Sequence, residues 1–456
     1  PHSSRPMATD KEQERSANTV LAELVEAGDT ESLARQAAET HPADIAEYLD
    51  TLKELEAQLN VFDLLAAPQA SEVIRKLSEP CREALLEALS DQRLSALVEG
   101  LDTDDAADLL GDLPEGRRQA LLFRASPETR RVVGDLLAYP EDSAGGIMKT
   151  ELAPMRAGTT VGELTDHIRT HPQDFRDVHN IFVTAEDDRL LGAVPIRELI
   201  LARTETRLGE IMDTDVVSVR VDVDQEEVAH LFEKYDLLSL PVVDAEDRLS
   251  GRITVDDVVY VIEEEATEDM LRLAGVGGET IGSPQAAHAI RARLPWLALN
   301  LVTATMSAAA IAVFEETIEQ VAIAAAFMTI VASQGGNAGV QTMTLMVRGL
   351  ALGELQASDT MRILRRESLV ALINGVLLGI LAGGVAYIWR GDLALSLVLG
   401  SAMLINLLVA AALGSLVPTM LELAGVDPAV SSSVLVTAGT DVLGFLIFLG
   451  ILTLVI

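Results

Sequence analysis

The chain has 456 residues, more than one small domain needs, and carries 70 acidic against 34 basic side chains, for a net charge of −36. That balance excludes a nucleic-acid partner, which calls for basic patches, and it suits cations as ligands or a strongly solvated surface. The single cysteine, Cys81, excludes an intrachain disulfide framework or thiolate metal cluster and fits a cytosolic soluble part.

Residues 1–6 (PHSSRP) precede Met7 and read as an expression scar, so 1–17 is expected to be a tag or disordered N-terminus. From 18 to 139 apolar residues recur at helical spacing between Pro and Gly breaks, as in EPCREALLEALS, LSALVEGL and SPETRRVVGDLLAYP. This predicts an all-α acidic N domain. PADIAEYLDTL (42–52) resembles TDDAADLLGDL (103–113), which suggests a weak repeat and stacked helix pairs.

Residues 140–260 contain a clearer duplication. GGIMKTELAPMRAGTTVGEL leads to NIFVTAEDDRLLGAVPIRELI, and LGEIMDTDVVSVRVDVDQEEV leads to SLPVVDAEDRLSGRITVDDVV. The copies differ in length around HPQDF (171–175). Each copy reads as strand, helix, strand, acidic turn, strand, helix. Such tandem units resemble a CBS domain pair, an α+β fold.

Residues 261–290 read as an acidic connecting helix, VIEEEATEDMLRL, followed by a flexible break, GVGGETIGSP. From 291 to 456 five apolar segments follow, at about 295–314, 318–347, 368–389, 393–417 and 430–456. Each is long enough for a hydrocarbon core of ~30 Å, which takes ~20 helical residues. The expectation is a five-helix transmembrane pore domain in a lipid bilayer. Arg291, Arg293, Arg348, Arg362, Arg365 and Arg366 fall on the head side, and Glu315, Glu316 and Glu319 on the other. Positive residues favour the cytoplasm. The head is therefore expected inside the cell membrane and the C-terminus outside.

Two features do not suit plain lipid-facing helices. Asp441 is the one ionisable side chain between Ser431 and Ile456. A carboxylate at mid-membrane costs ~2.5–3.5 kcal/mol on insertion scales, so it normally faces a bundle interior or a wet path. QGGNAGVQ (334–341) is the other. Its paired glycines permit unusual backbone, and Asn337 and Gln341 offer amide dipoles. The segment is expected to unwind and line a cavity, with a tight glycine-mediated helix crossing as the alternative.

The acidic head, the duplicated units, the acidic helix and the spans bearing GGNAGVQ and TDVLG together resemble the MgtE family of magnesium channels. The resemblance covers essentially the whole chain from about residue 20. One departure is that FMTIVASQ (327–334) lacks the proline family members often carry there. The resemblance implies a homodimer with one pore on its two-fold axis. It implies Asp441 as the ion-binding carboxylate and the GGNAGVQ segment, with Asn337, as pore lining. It further implies Mg²⁺ sensors at Asp104, Asp108, Asp224, Glu226, Asp236, Asp257, Glu265, Glu268 and Asp269, with Gly146 offering a backbone carbonyl. Glu233 is an additional carboxylate where a backbone group is expected. Bound Mg²⁺ would close the channel by compacting the head. CBS pairs often hold adenine nucleotides, so ATP is a further expected ligand, at Arg197 and Glu198. The glutamate there is one methylene longer than the expected aspartate.

The expected function is Mg²⁺-gated Mg²⁺ uptake, without enzymatic activity. A CBS-regulated transporter of Mn²⁺ or Co²⁺ is the alternative, because oxygen-only donors and spans without Cys or His favour a hard ion without singling out Mg²⁺. An intramembrane aspartyl protease needs two carboxylates sharing a proton. No second catalytic motif is visible for one.

Overall fold

The computed structural model describes residues 10–27, 29–175, 178–276, 286–351, 354–430 and 432–456, in two compact units, Pro1–Ile262 and Glu263–Ile456. The expected scar at 1–6 and positions 277–284 of the expected break lie outside the described residues.

The first unit begins with ten short helices among the described residues, α1 (Asp10–Ala27) to α10 (Pro127–Leu136). Their ends follow the sequence punctuation. Pro42, Pro68, Pro80 and Pro127 occupy first-turn positions, where a missing N–H costs nothing. Asp29, Ser90 and Ser126 cap helices with side-chain oxygens. One face of each helix closes a core that includes Ile45, Leu49, Phe62, Ile74, Leu85, Leu97 and Leu110, all fully buried. The look-alike segments are α3 (Pro42–Thr51) and α8 (Thr103–Gly111). They bury equivalent positions: Ile45, Ala46, Tyr48 and Leu49 in one, Ala106, Ala107, Leu109 and Leu110 in the other. Asp104 is the departure, a buried carboxylate where α3 has Ala43.

The duplicated copies share one topology. In the first, β1 (Met155–Arg156) runs parallel to β2 (Asn180–Thr184), which pairs antiparallel with β3 (Leu190–Pro195). In the second, β4 (Val219–Arg220), β5 (Ser239–Val243) and β6 (Leu249–Thr254) repeat this arrangement. The register slips at matching places, Val183/Thr184 and Val242/Val243. The acidic turns place Asp188 and Asp247 in the left-handed region, with φ of 64° and 61°. The two turns meet reciprocally. Leu190 donates to the Asp247 carbonyl and Leu249 to the Asp188 carbonyl, each at 3.0 Å, so the copies are related by a local two-fold. The length difference at HPQDF is a short 3₁₀ turn, Pro172–Phe175, after α11 (Val161–Thr170). The copies also contribute α12 (Ile196–Leu201), α13 (Leu208–Ile211) and α14 (Gln225–Tyr235). The last helix, α15 (Val255–Leu273), runs without a break into the acidic connecting segment.

The second unit holds α16 (Ala286–Ala312), the short α17 (Glu315–Gln320), α18 (Ala324–Ala351), α19 (Thr360–Arg390), α20 (Leu393–Leu423) and α21 (Ser432–Val455). Four helices, at 289–312, 357–390, 393–423 and 432–455, are long and apolar enough to cross a membrane. The fifth expected span differs. α18 has the length, 28 residues, but its glycines, amides and threonines dilute its apolar character. α20 lies centrally, packed on α18, α19 and α21. A glycine every fourth residue, at Gly375, Gly379 and Gly383, lets α19 and α20 meet backbone to backbone.

The expected unwinding of QGGNAGVQ does not occur. α18 is helical throughout 334–341, and the alternative reading, a close glycine crossing, is the one observed. A Cβ on Gly339 would lie 2.6 Å from Val436 Cγ1, and one on Gly414 would lie 2.7 Å from the Gly339 carbonyl. An intact helix keeps its carbonyls bonded internally, which lipid demands.

Candidate functional site

The first candidate is a depression of about 420 Å³ between α18 and α21. Thr329, Ala332, Ser333, Gly336, Asn337, Val340, Thr437, Asp441 and Phe445 line it. Asn337 and Asp441, far apart in sequence, are thus brought to one wall. Asn337 is exposed and Asp441 half-buried, and among the described residues neither makes a hydrogen bond or ion pair. A carboxylate and an amide left without protein partners on an apolar bundle are available to a cation and its waters.

Asn406 of α20 stands behind this wall, fully buried. Its Nδ2 donates to the Val331 carbonyl of α18 at 2.9 Å. Gly335 and Gly444 press on the amide from two sides, since a Cβ on either would lie 2.1 Å and 2.8 Å from Nδ2. The sequence reading did not single out Asn406. A lone amide in an apolar run was the available signal.

The C-terminal end of α15 carries the expected triad. Glu265, Glu268 and Asp269 are half-buried. Glu268 is ion-paired with Arg272, whose Nη1 also donates to Asp427 Oδ2 at 2.7 Å. Leu273 packs on Met343, Val347, Ala429 and Val436. Burial, then the nearby Asp427 charge, raises the pKa of Asp269. Neither Arg272 nor Asp427 was predicted.

The head holds the second cluster. Asp102, Asp104 and Asp105 each place a carboxylate oxygen within 4.8 Å of the others. Asp104 is buried, and its Oδ1 has no hydrogen-bond partner among the described residues. Its Oδ2 is 3.9 Å from Lys149 Nζ, which also donates to Asp257 Oδ1 at 2.8 Å. Thr254 Oγ1 donates to Asp257 Oδ2 at 2.5 Å. Burial, and then the neighbouring Asp105, lift the Asp104 carboxyl well above the ordinary range. Burial raises Asp105 to about 6 against the pull of Arg75, 3.4 Å away. Burial and the Asp105 charge push Asp108 up to about 7, although this residue keeps an exposed edge. A buried carboxylate oxygen without a donor fits a divalent cation with oxygen ligands.

Other expected sensors have local structural roles. Asp224 caps α14, accepting from the Glu226 amide at 2.8 Å. It sits beside the 140–146 loop through the Ser143 pairing, which brings it near Gly146. Gly146 is required there, because a Cβ would lie 2.4 Å from the Pro140 carbonyl. Asp236 ends α14 in the left-handed region, exposed to solvent. Arg197 donates to Glu198 at 3.0 Å, so the expected nucleotide pair engages itself.

Three family models match: the divalent cation transporter MgtE over 328–451, the MgtE intracellular N domain over 40–142 and the CBS domain over 208–264. The magnesium transporter MgtE of Thermus thermophilus is 37% identical over 441 residues, 96% of this chain and 98% of that protein. Its Bacillus subtilis namesake is 30% identical over 415 residues, 91% and 92% of the respective chains. A crystal structure of the cytosolic domain of the Mg²⁺ channel MgtE in complex with ATP is 40% identical, covers 54% of this chain and 99% of its own, and has a TM-score of 0.51. The soluble part of a magnesium transporter shares the fold at 24% identity, 56% and 99% coverage and a TM-score of 0.51. The chain belongs to the MgtE family of divalent cation transporters.

Proposed function

We propose that the protein is a Mg²⁺-selective channel closed by Mg²⁺ bound to its cytosolic head. The observation that carries this reading is the pairing of Asn337 and Asp441 on an open wall of the membrane bundle, with no partner among the described residues. A second copy facing this wall would complete a pore on a two-fold axis and set two Asp441 carboxylates across it. Mg²⁺ demands octahedral oxygen ligands and sheds its waters reluctantly. Two carboxylates and two amides can hold the hydrated ion loosely enough to release it. The membrane potential supplies ~4.6 kcal/mol per 100 mV for a divalent ion, from ~2.3 per charge, so uptake needs no other energy source. α18 serves as the fifth span, its polar residues turned to the pore. The arginine distribution supports an orientation with the head inside and the C-terminus outside.

The sensors are the carboxylates of the first unit and of α15. Asp102, Asp104, Asp105 and Asp108 would hold a divalent ion in the head, and Glu265, Glu268 and Asp269 others beside the pore domain. Bound ions relieve repulsion among these groups and favour the closed state by their differential affinity for it. Replacing Glu265, Glu268 and Asp269 together by neutral amides should leave the channel conducting at millimolar cytosolic Mg²⁺. Patch recordings that show normal closure of the triple variant would refute the gate. The ATP-bound relative supports a nucleotide site at Arg197 and Glu198, which isothermal titration of residues 18–275 with ATP tests directly. Oxygen-only donors keep Mn²⁺ and Co²⁺ as competing cargo, to be compared in the same flux measurement.

A further inference from the structure

We propose that the first turns of α19 hold an anionic phospholipid, with Arg365 and Arg366 on its phosphate and the apolar face beyond them along its acyl chains. The proposal goes beyond the transport reading and rests only on α19 as a membrane span. α19 has 31 residues, ~46 Å of helix, against ~30 Å of hydrocarbon to cross. Its excess lies at the start. The apolar run begins at Leu369, and Arg366, Arg365 and Arg362 precede it by ~4–10 Å of helical rise. The headgroup layer is about 5–8 Å thick on each side of the core, so these arginines stand at phosphate depth.

All three arginines are exposed. Arg362 pairs with Asp359 at 3.1 Å, whereas Arg365 and Arg366 have no ion pair or hydrogen bond among the described residues. The next residue, Glu367, turns the other way and accepts from Thr342 Oγ1 of α18 at 3.3 Å, so its charge is engaged in the bundle. Arg362, Arg366, Ile373, Leu377 and Ile380 fall within a sector of about 60° on the helical wheel. The three apolar members are exposed. The far side of the helix carries Gly375 and Gly379, and a Cβ on Gly379 would lie 2.7 Å from the Gly400 carbonyl of α20. The bundle therefore takes the small-residue face and leaves the arginine face outward. A second copy is a poor occupant for that face. Helix pairs in membranes meet through small residues, which this sector lacks, and pairing it with itself would oppose like charges. A lipid with a negative headgroup matches both its parts, the guanidinium pair and the branched apolar stripe.

Native mass spectrometry of the full-length protein in detergent, titrated with phosphatidylglycerol or phosphatidylcholine, gives the affinity of the first bound lipid. Wild type should take phosphatidylglycerol about tenfold more tightly than phosphatidylcholine, because each arginine near an anionic headgroup adds severalfold. Arg365→Gln combined with Arg366→Gln should reduce that preference to within about twofold, and the corresponding pair of lysine substitutions should keep most of it, because the charge remains. Arg390→Gln, at the other end of the same helix, should bind as wild type. Absence of a preference in wild type, a preference kept in the glutamine double variant or lost in the lysine one, or an equal loss in Arg390→Gln would each overturn the proposal. Inorganic phosphate displacing the lipid at equal concentration would also overturn it, since the site would then read a free anion. No ion flux enters this readout, so its failure and that of the transport reading are separate.

Discussion

Gly335→Ala is the sharpest probe of the packing behind the wall that carries Asn337 and Asp441. The added methyl would sit 2.1 Å from Asn406 Nδ2, where ordinary contact starts at 3.4 Å. The amide cannot retreat, since it is fully buried and Gly444 closes the other side. Its bond to the Val331 carbonyl also fixes it in place. α18 must therefore shift by an appreciable fraction of the missing ~1.3 Å, carrying Asn337 with it. Overpacking of this kind costs about 1–3 kcal/mol. Asn406→Ala alone loses one hydrogen bond, about 1 kcal/mol, and leaves a small void. Combined, the two changes should complement, because the methyl enters the space the amide vacates. The expected coupling is about 1–2 kcal/mol in favour of the double variant. Thermal inactivation of the detergent-solubilised protein gives the four corners of the cycle, and Mg²⁺ flux into liposomes follows the position of Asn337. Gly335→Ala as stable as wild type, or a double variant showing no coupling, would refute this packing.

Three further outcomes follow from the ionisable groups. Burial raises Asp105 to about 6 and Asp108 to about 7, so under the proposed function protons would compete with Mg²⁺ in the head. The Mg²⁺ concentration that half-closes the channel should therefore rise as pH falls below about 7, which flux at graded pH measures. Without Mg²⁺ the sign reverses. The folded head binds more protons than the unfolded chain from the ordinary carboxyl pKa up to at least about 7, so its stability falls as pH rises through that window. Thermal melts in chelator at pH 4.5 and 7.5 check this. Arg272→Met removes the pairs to Glu268 and Asp427, which are part-exposed and worth about 0.5–1 kcal/mol. The variant should need several-fold more Mg²⁺ to close in patch recordings.

The helical head, the duplicated units and Asp441 were legible because each leaves a local mark. Apolar spacing marks α3 and α8, matching strings mark the two copies, and a lone charge in an apolar run marks Asp441. The state of α18 was not legible, since paired glycines permit both a break and a close crossing. What decides is the partner surface, Asn406, Gly414 and Val436, which the segment itself does not contain. Lys149 was missed for a related reason. Nothing in the local string MKT distinguishes it, and its pairing with Asp257 spans 108 residues. Arg272 and Asp427 meet across 155. Asp224 and Asp236 were read for their charge alone, while their positions at the two ends of α14 also give them capping roles.

The central claim is that Asp441 binds the ion in transit. Mg²⁺ flux into liposomes under an inside-negative potential, comparing wild type with Asp441→Ala, tests it most directly. The account predicts that the variant, folded and inserted as wild type, loses nearly all flux. Flux equal to wild type would contradict it.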